Sequence, residues 1–139
     1  MPYVDKGKYI SCFVYVENLA AAIVSACTNK DAWGEDYNIT DGVGETLHEY
    51  FVAVATALGV KPKFSSIPSP IAKIVATIVE GLYKLIRSKK APLITRFSTY
   101  QNCVDYHFSI QKAKDKFGYQ PKISMQEGIM RSVSWFNTL

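Results

Sequence analysis

The segment from Ser69 to about Arg87 constrains the fold more than any other part of the chain. Ser69 stands where a helix N-cap is expected, and Pro70 occupies the first helical position, where its missing N–H costs nothing. Beyond it Lys73, Thr77, Glu80, Lys84 and Arg87 line one stripe, leaving a wide apolar face that runs from Ile71 to Ile86. A face this wide demands a cover. Charge interrupts it too often for a membrane span. The covers left open are a bound apolar molecule, the remainder of a larger fold, a second copy of the chain, or a membrane surface on which Lys84, Arg87, Lys89 and Lys90 would rest.

Other elements follow from local signals. Phe13-Val14-Tyr15-Val16 reads as a buried strand, after which Glu17-Asn18 offers an N-cap for an Ala-rich helix from Leu19 to about Cys27. Apolar residues surround that helix, so it is expected inside a core. Tyr37 to Thr40 reads as a second strand, then Asp41-Gly42-Val43-Gly44 as a turn. Thr46-x-x-Glu49 forms a capping box for a helix that Gly59 stops. Lys63 to Ile67 reads as a third strand. After Pro92, Leu93 to Asn102 is expected to hold a short helix, and Tyr106-His107-Phe108 a strand end. A Ser109-capped helix should run through Phe117 to the stop Gly118-Tyr119-x-Pro121. Ser124-x-x-Glu127 opens a final helix whose Met125, Ile129, Val133 and Phe136 share a face, with Trp135 expected in the core.

Length and composition bound the function. The 139 residues suit one domain, here 1–139. A net charge of +4 without a recognition motif gives no reason to expect nucleic acid as a partner. Cys12, Cys27 and Cys103 are odd in number and far apart, which suggests neither a disulfide framework nor a metal site. With charges at Asp5, Lys6 and Lys8 breaking any early apolar run, a cytoplasmic protein is expected.

The order of the pieces is informative. Phe13-Val14-Tyr15-Val16-Glu17-Asn18-Leu19-Ala20, Tyr37-Asn38-Ile39-Thr40-Asp41-Gly42, Ser109-Ile110-x-Lys112-Ala113-x5-Gly118-Tyr119-x-Pro121 and Glu127-Gly128-Ile129 with Trp135 resemble the C-terminal half of extended short-chain dehydrogenases/reductases, of the NAD-dependent epimerase/dehydratase superfamily. The resemblance covers nearly the whole chain. It implies an α/β fold, the C-terminal part of an extended Rossmann-type dehydrogenase, mostly helical with a few short strands and lacking the nucleotide-binding half.

That family binds NAD or NADP on a Gly-rich strand–turn–helix and uses a tyrosine acid/base with a lysine four residues later. Neither G-x-G-x-x-G nor G-x-x-G-x-x-G occurs here, and none of the nine tyrosines has Lys at the fourth following position. The expectation is that this chain binds no cofactor alone, contributes no catalytic residue, and works with an N-terminal nucleotide-binding half or as a homo-oligomer.

Sugar-nucleotide members of the family place an arginine just before the strand that corresponds to Phe13–Val16, and this chain has Ser11 and Cys12 there. The Ile71–Ile86 helix instead resembles the hydroxysteroid and sterol-carboxylate dehydrogenase branch. The implied parent reaction is oxidation or reduction of a secondary alcohol or ketone on a sterol-like or other apolar molecule. Two alternatives are a non-catalytic binding or oligomerisation module and part of a sugar-nucleotide epimerase/dehydratase. By location, the substrate-binding candidates are Tyr15, Asn18, Arg96 and Tyr106, with His107 beside them. Asn18 is also a natural helix cap.

Overall fold

Asn18 explains why the two ends of this sequence meet. Its amide donates to Asp41 Oδ1 at 2.7 Å and to the Ile123 carbonyl at 2.8 Å, and its carbonyl accepts the N–H groups of Lys122 and Ile123, each at 3.1 Å. At 3% exposure it is neither a cap nor solvated, so every polar atom of this buried side chain is matched. The computed structural model describes residues 2–42, 44–87, 90–92 and 94–139. Val43 of the expected turn, Lys89 of the basic cluster and Leu93 at the start of the expected short helix lie outside the described residues.

Four three-residue strands, six α-helices and two three-residue 3-10 helices, Asp5–Gly7 and Lys30–Ala32, are described. Strand β1 (Pro2–Val4) pairs in parallel with β4 (Ser65–Ile67), while β2 (Ile10–Cys12) pairs antiparallel with β3 (Gly44–Thr46), Ile10 facing Thr46. The helices are α1 (Val16–Thr28), α2 (Leu47–Ala57), α3 (Ser69–Leu85), α4 (Arg96–Gln101), α5 (Gln111–Phe117) and α6 (Met125–Phe136).

The Phe13–Val16 strand is a correction. Pairing ends at Cys12, the Phe13 carbonyl accepts the Asp41 N–H at 2.9 Å, and Tyr15 in extended geometry leads into α1 at Val16. These residues are apolar because their side chains pack from a loop: Phe13 stacks on Tyr50 at 4.3 Å between ring centroids, and Tyr15 lies against Gly128. A Cβ at Gly128 would meet the Tyr15 ring at 2.7 Å, which accounts for glycine in the middle of α6. Tyr37–Thr40 is likewise an extended segment without a ladder. It is fixed by Tyr119, whose hydroxyl donates to the Thr40 carbonyl at 2.9 Å, and by an edge-on contact of Tyr37 with Phe117. Tyr106–Phe108 forms no strand; the Tyr106 N–H donates to the Ile10 carbonyl.

The caps are mixed. Thr46 and Glu49 complete the expected capping box, and Gly118 closes α5 with φ +69°. Ser124 accepts the Glu127 N–H, but the Glu127 carboxylate turns to Arg131 instead of closing the box. Ser69 does not cap α3. Its N–H is taken at 2.9 Å by the Asp5 carboxylate from near the start of the chain, so a distant residue does the work expected of a local one.

The core is small. Ala22, Ile110, Ala113 and Tyr119 form one cluster with Tyr37, Ile39 and Phe117 packed on it. Tyr3, Phe51 and Phe64 form an aromatic group edged by His48. A monomer of 15.5 kDa exposes roughly 7,200 Å², whereas this chain exposes 9851 Å². Two expectations of burial fail accordingly. In α1 Ile23 and Val24 face out at 55% and 63%, and Trp135 is 65% exposed instead of belonging to the core. The large apolar side chains on these surfaces have nothing packed over them among the described residues.

Helix α3 shows the same thing most clearly. Its buried positions are the small Ala72 and Ala76, while Glu80 and Lys73 lean inward toward α4. Most of the Ile71–Ile86 face points away from the protein, with Val79 half-buried.

Candidate substrate cleft

A cleft of about 370 Å³ opens beside β2, lined by Ser11, Cys12, Gln101, Asn102, Tyr106 and Phe108. Its walls come from three places, and hydrogen bonds hold them together. The Asp105 carboxylate accepts the Ile10 N–H at 2.8 Å, the Tyr106 N–H donates to the Ile10 carbonyl at 3.0 Å, and the Cys12 thiol donates to the Tyr106 carbonyl at 3.1 Å. The 105–108 segment is thereby fastened alongside β2. The Tyr106 and Phe108 rings lie nearly parallel, 6.1 Å apart. Gln101 and Asn102 arrive at the end of α4, which Thr95 and Ser98 start with a reciprocal cap.

A smaller hollow of about 100 Å³ shares Ser11, Gln101 and Asn102 with this cleft and ends on Tyr3, Gly7, Tyr9 and Leu47. The floor is held by Asp5, which sits with Lys6 at positive φ, 45° and 62°. Such backbone is costly for non-glycine residues and persists only where contacts over-determine it. Here the Asp5 carboxylate receives both the Tyr9 hydroxyl at 2.7 Å and the Ser69 N–H. The Tyr9 hydroxyl first, then the Ser69 N–H, hold the Asp5 carboxyl below its usual range, and the same bond raises the Tyr9 phenol. Nearby, burial pushes the Cys103 thiol up.

The chemistry of the cleft is neutral. No lysine, arginine or carboxylate lines it among the described residues. The side chains of Ser11, Gln101 and Asn102 carry hydrogen-bonding groups without a protein partner among the described residues, next to two aromatic rings. Such a site can orient one or two neutral polar atoms on an otherwise apolar molecule.

Only one of the sequence candidates, Tyr106, reaches this cleft. Tyr15 lies in a different groove between α1 and α6, with Arg131, Trp135 and Phe136; desolvation, and then its hydrogen bond to Glu17, raise its phenol. Asn18 is committed to its four internal bonds. Arg96 is tied to Glu80, whose carboxylate takes both the Arg96 N–H at 2.6 Å and its Nε at 2.8 Å. His107 is exposed at the edge of the fastened segment. Sequence reasoning singled out Ser11 and Cys12 only for the arginine they replace, and it missed Gln101, Asn102 and Phe108. The one signal for them was their position on either side of the Asp105 turn.

The class follows from the fold. The chain corresponds to the C-terminal portion of extended short-chain dehydrogenases/reductases, Rossmann-type enzymes, and is mostly helical with few short strands. No family model matches it. It is 33% identical over 132 residues to the sterol-4-alpha-carboxylate 3-dehydrogenase erg26, decarboxylating, of Schizosaccharomyces pombe, a match that covers 91% of this chain and 38% of that protein. To the 3beta-hydroxysteroid-dehydrogenase/decarboxylase isoform 1 of Arabidopsis thaliana it is 31% identical, covering 98% of this chain and 33% of the relative. Among solved structures, that of gox2253 superposes with a TM-score of 0.72 at 25% identity, over 99% of this chain and 39% of that one. The UDP-glucose 4-epimerase of Thermotoga maritima does so with 0.65 at 22% identity, over 99% of this chain and 35% of that one, a likeness of fold alone. The chain thus spans 33% to 39% of these relatives.

Proposed function

We propose that this chain is the substrate-binding part of an NAD(P)-dependent oxidoreductase acting on a secondary alcohol or ketone of a sterol-like or otherwise apolar molecule. The observation that carries the proposal is the neutral lining of the cleft: Tyr106 and Phe108 offer an apolar wall, and Ser11, Gln101 and Asn102 offer hydrogen bonds to a hydroxyl or carbonyl. A sugar nucleotide would bring a diphosphate, which needs a cation within reach, and the cleft has none among the described residues. Similarity to sterol dehydrogenases points the same way.

The residues present do not fit a dinucleotide. A pyrophosphate cradle needs glycines between a strand and a helix start. Here β3 passes directly into α2 through Thr46, and β4 into α3 through Pro68, with no glycine at either junction. The cofactor, which supplies the hydride chemistry, and the tyrosine–lysine pair are therefore assigned to a separate N-terminal region. This chain's part is to bind the substrate, turn its oxygen and shield it from water.

The test is ligand binding to the purified chain, followed by its intrinsic fluorescence. A 3-hydroxysterol should bind with an affinity that Tyr106→Ala weakens about tenfold or more, and UDP-glucose should not bind. Saturable binding of UDP-glucose that the sterol does not displace would overturn the proposal.

A further inference from the structure

Tyr3 is the odd member of its aromatic group. The ring packs on Phe64 at 4.7 Å and on Phe51 at 5.9 Å between centroids, with His48 edge-on at 6.0 Å, and the backbone lies in β1 opposite Ser66. Held from both sides, the residue is 3% exposed, yet its hydroxyl has no hydrogen-bond partner among the described residues. Two of the neighbouring rings are phenylalanines. A third would fill the same space without burying an orphan hydroxyl, and an unmatched polar group in a core is costly unless something outside the chain matches it.

Tyr3 also lines the hollow of about 100 Å³ that adjoins the substrate cleft. Tyr9, Ser11, Gln101 and Asn102 line it too, and no lysine, arginine, histidine or carboxylate does so among the described residues. The Tyr9 proton is already committed to Asp5, whose strained turn fixes that wall. Burial pushes the Tyr3 phenol above its ordinary value, which keeps it a neutral donor. Because Ser11, Gln101 and Asn102 line both spaces, whatever fills the cleft can reach into the hollow. Its size suits a small end group.

We propose that the hollow is a second polar subsite of the cleft, where the Tyr3 hydroxyl bonds a neutral hydroxyl, carbonyl or amide at the end of the substrate remote from the reacting oxygen. The two ends are told apart by what each must reach. The reacting oxygen has to meet the hydride chemistry assigned to a separate region, so it stands at the open side of the cleft, where Phe108 is 48% exposed. A group beside the buried Tyr3 is therefore a second one. Water that fills the hollow in the free chain is replaced by an oxygen able to reproduce its hydrogen bonds, so the exchange favours a polar end over a hydrocarbon one. The substrate class narrows to apolar molecules with a neutral polar group at each end. This inference rests on the reading of the cleft as the substrate site.

The experiment compares cholesterol with 25-hydroxycholesterol, which adds one hydroxyl at the far end, as ligands of the purified chain and of Tyr3→Phe. The parent chain should bind the hydroxylated sterol about fivefold tighter or more, the contribution of one neutral hydrogen bond. Tyr3→Phe should erase that advantage, leave cholesterol affinity unchanged, and unfold at a midpoint no lower than the parent, since no internal hydrogen bond is lost. Equal affinity of the parent for both sterols overturns the subsite, as does an advantage that persists in Tyr3→Phe or a variant that weakens both sterols alike. In those cases loss of both ligands on Tyr106→Ala would leave the cleft reading standing. Binding of neither sterol would overturn the cleft reading and the subsite with it.

Discussion

The Asn18–Tyr119 region and the α3–α4 region are built from opposite choices. Around Asn18 every polar atom of that buried side chain is matched, although the Tyr37 hydroxyl in the neighbouring cluster is buried without a partner among the described residues, and Asn18 alone ties α1, Asp41 and the segment before α6 together. In α3 the buried residues are two alanines, with Lys73, Val79, Glu80 and Tyr83 half-buried, while most of the large aliphatic side chains face away. The first region is complete by itself. The second keeps its apolar surface for something outside the chain, and its attachment rests on small-residue contact, Asp5 at the start of the helix, and the Glu80–Arg96 pair. Stability and the outward apolar surface have been given to different parts of one sequence.

Mutations can break or sharpen this contrast, and the largest effect should come from the matched region. Asn18→Ala removes the amide from Asp41 Oδ1, whose carboxylate keeps only the Tyr15 N–H, and takes the partners from the Ile123 carbonyl and the N–H groups of Lys122 and Ile123, and should cost about 3 kcal/mol in urea unfolding. A loss below roughly 1 kcal/mol would show that the knot is not what holds the ends. Next, Ala76→Leu forces a larger side chain into the fully buried contact of α3, at 0% exposure, and should cost about 2 kcal/mol.

Tyr119 tests the same region by pH. Burial pushes its phenol from the ordinary 10.0 up to about 12. Because the folded value lies above the unfolded one, its contribution is fully present below pH 10 and is lost as pH rises from 10.0 toward about 12. Tyr119→Phe should flatten that part of the stability profile and cost about 1 kcal/mol at neutral pH, through the unpaired Thr40 carbonyl. The smallest effect belongs to the outward strip: Ile78→Asp should change unfolding free energy by less than about 0.5 kcal/mol, although it places a charge in a row of isoleucines.

The sequence announced some of this and hid the rest for physical reasons. Caps are local chemistry, so Thr46 with Glu49 and the Gly118 stop were readable from a few residues. Strands three residues long are defined by partners far away. Nothing around Ile10 signals that Thr46 lies opposite, and the β-branched run Phe13–Val16 mimicked a strand because loop packing and sheet packing favour the same side chains. Asn18 was readable as a cap because asparagine often is one, whereas its real partners stand more than twenty residues away at Asp41 and about a hundred away at Ile123. In α3 periodicity located the apolar face correctly. It could not tell which face the protein covers, since that depends on what packs there. The cleft was half legible: Tyr106 and the absence of arginine at Ser11 and Cys12 could be read, but Gln101, Asn102 and Phe108 follow no spacing rule and meet only through the fold.

The central claim is a division of labour, with the substrate cleft in this chain and the dinucleotide site elsewhere. The most direct measurement is calorimetric titration of the purified chain with NAD(H) and NADP(H). The account predicts no binding heat with any of the four forms. Saturable binding in the micromolar range would contradict it, because it would place a dinucleotide site in a chain whose strand–helix junctions carry no glycine to cradle one.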